Sequence, residues 1–186
     1  KYDESQRAVV AMYNEYFGGS MNSIVFQEMR EKRSLAYQAS SRYIMGSNKT
    51  DKNYNLAHIA TQNDKVVEAF DAFNSLLDYM PVAENNFDLA KQSLLKSIAT
   101  NRTTKQAIIS SYLTDKEYGR KENTQKKMYE QLQKMTFEDI KAFSEQNLKG
   151  QKRVYVILGS KDQINFDEVK KFGDIEELTL EEIFGY

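Results

Sequence analysis

The chain of 186 residues has no cysteine, a single histidine and a single proline. Without cysteine it can form no disulfide bond, thiolate nucleophile or cysteine-ligated zinc site. A catalytic zinc site usually needs two or three imidazoles and a carboxylate, so His58 alone cannot build one. A serine triad would need the same histidine as its base, and nothing places His58 beside an activated serine. We therefore interpret His58 as a strand residue that packs beside its neighbours or faces water.

The sequence also lacks an excess of charge and any long apolar run. The formal net charge is -1, from 26 basic and 27 acidic residues, so we expect no nucleic-acid partner and no attraction to an anionic membrane. The apolar runs, such as Val154 to Leu158, are too short for a membrane span. Hydrophobic residues make up 40% and charged residues 28%, a balance typical of one globular domain.

Helical spacing of apolar residues dominates the sequence. A first helix is predicted over residues 5–17, where paired Gly18 and Gly19 end it. The segment Gly18-Gly19-Ser20 could bind an anion at the N-terminus of the helix that follows, but a simple turn between two helices is the favoured interpretation. A short second helix should begin after Asn22 or Ser23 and end near Lys32. Later helices are predicted from a cap at Asp64 to Met80, from Phe87 to Ile98, over 105–118 and 124–135, after a Thr136–Asp139 capping box, and from Phe166 to Lys171.

Three segments have the composition of strands. Residues 36–44 and 53–60 predict an antiparallel hairpin around a polar turn at 46–51, and residues 153–159 predict a central strand buried on both sides. The fold class is therefore α+β, with a mostly antiparallel sheet packed by several helices. Three strands are too few to cover so many helices, so we expect strands of this domain to lie upstream of Lys1.

One segment is much more specific than the rest. After the glycine-rich turn that follows Tyr16, it carries Phe-Gln-Glu-Met-Arg-Glu at 26–31 and Leu-Ala-Tyr at 35–37. This segment resembles the one that follows the first long helix in domains of the pitrilysin (insulinase) family of zinc metallopeptidases. The similarity continues through 61–65, the helix around Ala90, the strand ending at Gly159 and an end, Leu178 to Tyr186, like that of large bacterial members.

The resemblance implies a metallohydrolase (pitrilysin/LuxS-like) fold for residues 1–186, as a single C-terminal domain of a larger protein. Family members enclose a chamber between two halves, and an N-terminal domain binds zinc through an H-x-x-E-H motif. This chain has no such motif, so the resemblance implies zinc in another domain and none here. The implied partners are a peptide substrate and the zinc-binding N-terminal half, in the same protein or a partner subunit. The sequence does not fix the compartment, and a bacterial periplasm or cell envelope is only slightly favoured over the cytoplasm.

In this family, the domain in question contributes an arginine and a tyrosine to the distant zinc site. The matching positions here are Arg30 and Tyr37, whereas Arg33 has the wrong spacing. A tyrosine hydroxyl can stabilise the oxyanion formed when a peptide is cleaved, and a guanidinium can hold peptide carbonyls or orient the tyrosine. Without the resemblance, the same residues would be interpreted as a surface helix arginine and a half-buried strand aromatic.

Two other hypotheses remain at this stage. The chain could belong to a non-catalytic core or scaffold subunit, since the family includes such members in respiratory complexes, or it could be an unrelated peptide-binding module. Arg30 and Tyr37 together favour the peptidase, and the length of the matching segment disfavours the third hypothesis.

Overall fold

A computed structural model describes residues 3–46, 50–102, 104–120 and 123–185. The helices are α1 (Arg7–Phe17), α2 (Ile24–Phe26, continued by a π-helical turn at Gln27–Lys32), α3 (Val66–Asp78), α4 (Glu84–Thr100), α5 (Lys105–Glu117), α6 (Thr124–Lys134), α7 (Phe137–Asn147), α8 (Phe166–Val169) and α9 (Leu180–Phe184). The strands are β1 (Gln38–Ile44) and β2 (Tyr54–Ala60). The α+β class and the predicted helices are confirmed. No helix within these ranges is both long and apolar enough to cross a membrane.

Two predicted helix starts can be compared with the structure. The predicted cap at Asp64 is wrong, because Asp64 lies inside a 3-10 turn, Asn63–Lys65, and Lys65 precedes the first residue of α3. The predicted capping box of Thr136 and Asp139 at the start of α7 is confirmed. There the Asp139 carboxylate accepts hydrogen bonds from the Thr136 N–H at 2.7 Å and from its hydroxyl at 2.9 Å.

Helix α1 is the centre of the molecule, with β1, α4, α6 and α7 packed around it. Its buried face carries aromatic rings at helical spacing, as the sequence predicts. Tyr13 stacks on Phe17 at 5.1 Å between ring centroids and meets Phe143 of α7 at 5.3 Å. Tyr16 packs edge-on against Phe137 at 5.6 Å. These ring contacts fix the helices on which the rest of the fold is built.

Two buried tyrosines of α1 differ in how their hydroxyls are satisfied. The Tyr16 hydroxyl donates to the Pro81 carbonyl at 2.6 Å and accepts from the Ala83 N–H at 3.1 Å. The Tyr13 hydroxyl is fully buried and has no hydrogen-bond partner in the described part of the chain. Burial raises the pKa of Tyr13 well above its usual value and that of Tyr16 to about 12.

This difference predicts opposite effects for the same substitution. Tyr13→Phe removes an unpaired buried hydroxyl, so it should raise the free energy of unfolding by about 1 kcal/mol. Tyr16→Phe leaves the Pro81 carbonyl and the Ala83 N–H without their partner, so it should lower that free energy by about 2 kcal/mol. Urea unfolding of the two variants beside the parent measures both values. Equal losses in the two variants would contradict the assignment of the Tyr13 hydroxyl as unpaired.

The predicted hairpin is confirmed. β1 and β2 pair antiparallel with Gln38 opposite Ala60 and Ile44 opposite Tyr54, and Ser47, Asn48 and Lys49 of the predicted turn lie outside the described residues. The side chains of β1 and β2 alternate, so one face of the hairpin lies toward the helices and the other is exposed. These two strands form the whole sheet within the described ranges.

The free edge of β1 is covered by the end of α1. Asn14 donates to the Tyr43 carbonyl at 2.9 Å and accepts from the Tyr43 N–H at 2.7 Å. One turn later the Gly18 carbonyl accepts from the Ser41 N–H at 3.4 Å. A β-carbon at Gly18 would lie 2.1 Å from the Ser41 carbonyl oxygen, so only glycine allows this approach of helix and strand. The glycine turn therefore positions β1 as well as ending α1.

The predicted third strand is wrong. Residues 153–159, called here the ribbon, belong to no strand, and within the described chain the backbone groups of 153–158 form no hydrogen bond with other backbone groups. Val154, Val156 and Leu158 are 92%, 90% and 101% exposed, so the ribbon is not buried on both sides. The apolar composition of the run favours an extended conformation. It could not show that no adjacent strand is present to pair with it.

The ribbon is nevertheless extended and held by α3. Arg153 donates to the Asp78 carboxylate, the Tyr155 hydroxyl donates to Asn74 at 2.9 Å, and the Tyr155 ring lies 4.5 Å from that of Phe70. Two residues along the ribbon, from Arg153 to Tyr155, thus span about the same length as four residues along α3, from Asp78 to Asn74. This agrees with a rise of ~3.3 Å per residue in an extended chain and ~1.5 Å in a helix. Partial burial acts to raise the pKa of Asp78, but the Arg153 guanidinium and the Gly150 N–H lower it on balance.

Candidate functional site

The predicted site begins on the π-helical turn that continues α2. Val25 and Met29 are fully buried in the main core and fix this segment to the body of the domain. Phe26 and Arg30 each follow one of these anchors and are four residues apart, so their side chains lie on the outer side of the turn. Short π-helical segments occur often at functional sites because they shift side chains away from regular helical positions.

The chain reverses direction directly after this turn. Ser34, two residues after the turn, has a φ of 51°, in the left-handed region that non-glycine residues seldom occupy. Its N–H donates to the Arg30 carbonyl at 3.1 Å, and the Leu35 N–H donates to the Met29 carbonyl at 2.9 Å. This sharp reversal brings the residues that follow Ser34 back beside the helix they have just left.

Tyr37 stands on a firmly held backbone. Leu35 and Ala36 before it are buried, and the Thr61 hydroxyl donates to the Leu35 carbonyl at 2.6 Å. The Tyr37 N–H itself donates to the Ala60 carbonyl at the end of β2, at 2.9 Å. The side chain, by contrast, is 81% exposed. The phenol therefore projects from the surface on a backbone that is held by the end of β2 and by Thr61, the residue after it.

The structure brings Arg30 and Tyr37 together on one surface. The Arg30 guanidinium carbon lies 5.4 Å from the centre of the Tyr37 ring and 5.0 Å from that of Phe26, within the range of cation–π contacts. The Arg30 side chain is 43% exposed, and its nearest carboxylate is that of Glu31, at 3.7 Å from Nε. Such an exposed ion pair contributes little to holding the guanidinium in place. A cation and a phenol are thus side by side and open to a molecule from outside.

The other candidates from the sequence lie elsewhere. Arg33 lines an open groove of about 410 Å³ along α3, beside Asp64, Glu68 and Asp71. His58 is exposed on β2 opposite Ser40, which agrees with a strand residue facing water. Among the residues with a described position, no cluster of three histidines, aspartates or glutamates can hold a metal ion.

Sequence reasoning missed one member of this surface. Phe26 is the first residue of the matching motif at 26–31 but was assigned no role, whereas its ring contacts the guanidinium at the centre of the site. The signal that could have found it is the spacing of four between Phe26 and Arg30, which puts two helical side chains in contact.

Solved structures with a similar fold are known. The crystal structure of a peptidase M16 inactive domain from Pseudomonas fluorescens aligns with a TM-score of 0.61 and 22% identity, over 79% of this chain and 35% of that one. A conserved protein from Enterococcus faecalis V583 aligns with a TM-score of 0.65 and 18% identity, over 80% of this chain and 35% of that one. The chain thus spans about a third of either structure. At these identities the comparisons establish the fold alone.

A comparison of sequence establishes the family. No curated protein matches the chain. The family model described as "Peptidase M16 inactive domain" matches residues 1–94, just over half of the chain, including the whole segment that carries Arg30 and Tyr37. This match confirms the family resemblance drawn from residues 16–37. The chain belongs to the peptidase M16 family, in the part that the matching model describes as its inactive domain.

Proposed function

We propose that the chain is a C-terminal domain of a zinc-dependent endopeptidase and that Arg30 and Tyr37 act on the peptide bond being cleaved. The single observation that carries this proposal is the contact between the Arg30 guanidinium and the exposed Tyr37 ring. An exposed tyrosine on a fixed backbone gains little stability from its position, whereas a group that must reach a substrate in another domain has to be exposed.

The chemistry of the pair suits this role. As a peptide bond is cleaved, negative charge develops on its carbonyl oxygen, and the Tyr37 hydroxyl donates a hydrogen bond to that oxygen. Arg30 holds the phenol through its ring and presents further N–H donors to neighbouring peptide carbonyls. When bound by the partner domain, zinc would supply the activated water. The chain's own contribution is to position and stabilise the substrate. Its partners would be a peptide substrate and the zinc-bearing half.

The proposal is tested by peptide hydrolysis with the complete protein, zinc-bearing half included. Cleavage of a quenched fluorescent peptide should occur, stop when the metal is chelated, and return when zinc is restored. The 186-residue chain by itself should cleave nothing and bind no zinc tightly, because its described residues offer no cluster of ligands. A complete protein that binds zinc stoichiometrically but cleaves no peptide would contradict the proposal.

A second candidate is a non-catalytic core subunit with the same fold. The description of the matching family model as an inactive domain favours this alternative. It predicts that the complete protein has no zinc site in any domain. The zinc content of the purified complete protein therefore separates the two candidates before any substrate is tried.

A further inference from the structure

We propose that Phe26 is a positioning residue, which holds the Arg30 guanidinium so that Arg30 in turn orients the Tyr37 phenol. This inference rests on the proposed function of Arg30 and Tyr37. It assigns a role to a residue that neither chemistry nor charge would single out, since a phenylalanine has no group that can react.

Arg30 is held mainly by the Phe26 ring. Its guanidinium carbon lies 5.0 Å from the Phe26 ring centre, and among the described residues its side chain pairs only with the exposed carboxylate of Glu31, at 3.7 Å. Glu28, on the same turn, forms a hydrogen bond with Lys32 at 2.5 Å and is thereby engaged elsewhere. A weakly paired guanidinium on a flexible stem adopts many positions unless a surface restrains it. The Phe26 ring is that surface.

The Tyr37 side chain is held in turn by Arg30. Its backbone is fixed by β2, but Tyr37 is 81% exposed, and within the described chain its ring meets only the Arg30 guanidinium, at 5.4 Å. The three side chains therefore form a stack in which Arg30 lies in contact with both rings. Phe26 is half-buried and follows the fully buried Val25, so it is the member joined most directly to the core.

Kinetics of the complete enzyme test this role. Phe26→Leu keeps an apolar side chain but removes the ring, and it should lower kcat about three- to tenfold with KM changed less than twofold. Phe26→Trp keeps an aromatic face and should recover most of the loss. In a background of Arg30→Met, Phe26→Leu should have no further effect, because Phe26 acts through Arg30. A matched control is Tyr79→Leu, which removes another exposed ring–cation contact, with Lys149 at 5.2 Å, and should leave kcat unchanged.

A measurement on the 186-residue chain tests the stack without any activity. The Arg30 Nε–H resonance should carry a ring-current shift that Phe26→Leu reduces and Phe26→Trp retains. An unchanged resonance in Phe26→Leu overturns the proposal. The proposal is also overturned if Phe26→Leu shifts the resonance but keeps a normal kcat, while Tyr37→Phe lowers kcat. In that case the proposed function stands without a role for Phe26. If Tyr37→Phe is also unimpaired, the proposed function itself fails and the role of Phe26 with it.

Discussion

In the complete enzyme, Tyr37→Phe is expected to lower turnover at least tenfold. The substitution removes only the hydroxyl, and loss of one oxyanion donor typically costs about 2.7–4 kcal/mol of transition-state stabilisation. Folding should be unaffected, because Tyr37 is 81% exposed and its hydroxyl forms no hydrogen bond with the described residues. The phenyl ring that contacts Arg30 also remains. Steady-state kinetics on a peptide substrate, with a thermal unfolding curve for each protein, measures both effects.

The matched control for this variant is Tyr54→Phe. Tyr54 is also an exposed tyrosine, at the opposite end of the hairpin, where β2 begins. If its hydroxyl has no part in the reaction, kcat should stay at the parent value. A normal kcat in Tyr37→Phe would show that the Tyr37 hydroxyl does not stabilise the oxyanion, even though the fold is that of the family. A loss in both variants would instead indicate a general effect of removing the hydroxyl of an exposed tyrosine.

The largest expected effect on stability is that of Gly18→Ala. A methyl group at this position would lie 2.1 Å from the Ser41 carbonyl oxygen and 2.5 Å from the Ser41 nitrogen. Both are backbone atoms, so a side-chain rotation cannot relieve the overlap, and α1 and β1 must move apart. We expect the free energy of unfolding to fall by about 3 kcal/mol, at the upper end of the range for overpacked positions. Urea unfolding followed by circular dichroism measures this loss.

Gly150→Ala is the control for Gly18→Ala. Gly150 has a positive φ of 66°, but nothing lies within 4 Å of a β-carbon placed there. Its substitution therefore adds backbone strain without a collision and should cost about 1 kcal/mol. If Gly18→Ala proves no more harmful than Gly150→Ala, the close approach of α1 and β1 is not what glycine provides at position 18.

Local pattern was enough to predict most of the helices and the hairpin. Helix α1 shows why, because its aromatic residues recur at helical spacing and two glycines follow them. The start of α7 is equally local, since Thr136 and Asp139 are three residues apart and satisfy each other. In such cases the groups that decide the structure are near neighbours in the chain, so the sequence displays both partners at once.

The failures have the opposite cause. Whether residues 153–159 pair as a strand depends on a backbone partner that could come from anywhere, and their own composition is silent about it. Gly18 was predicted to end a helix, but its contact with Ser41 depends on how α1 and β1 meet in three dimensions. The candidate site was predicted in part. The family motif identified Arg30 and Tyr37, while the ring contacts that link them to Phe26 needed coordinates.

The ribbon has a consequence for the motions of the domain. Its side chains are tied to α3 through Tyr155 and Arg153, but its peptide groups have no backbone partners in the described chain. Amide protons at Val154, Val156 and Leu158 are therefore open to exchange with solvent deuterium without any unfolding event, whereas those paired between β1 and β2 are shielded. Two extended segments of one domain would thus label on very different timescales, and slow labelling of the ribbon would reveal that another strand has come to lie alongside it.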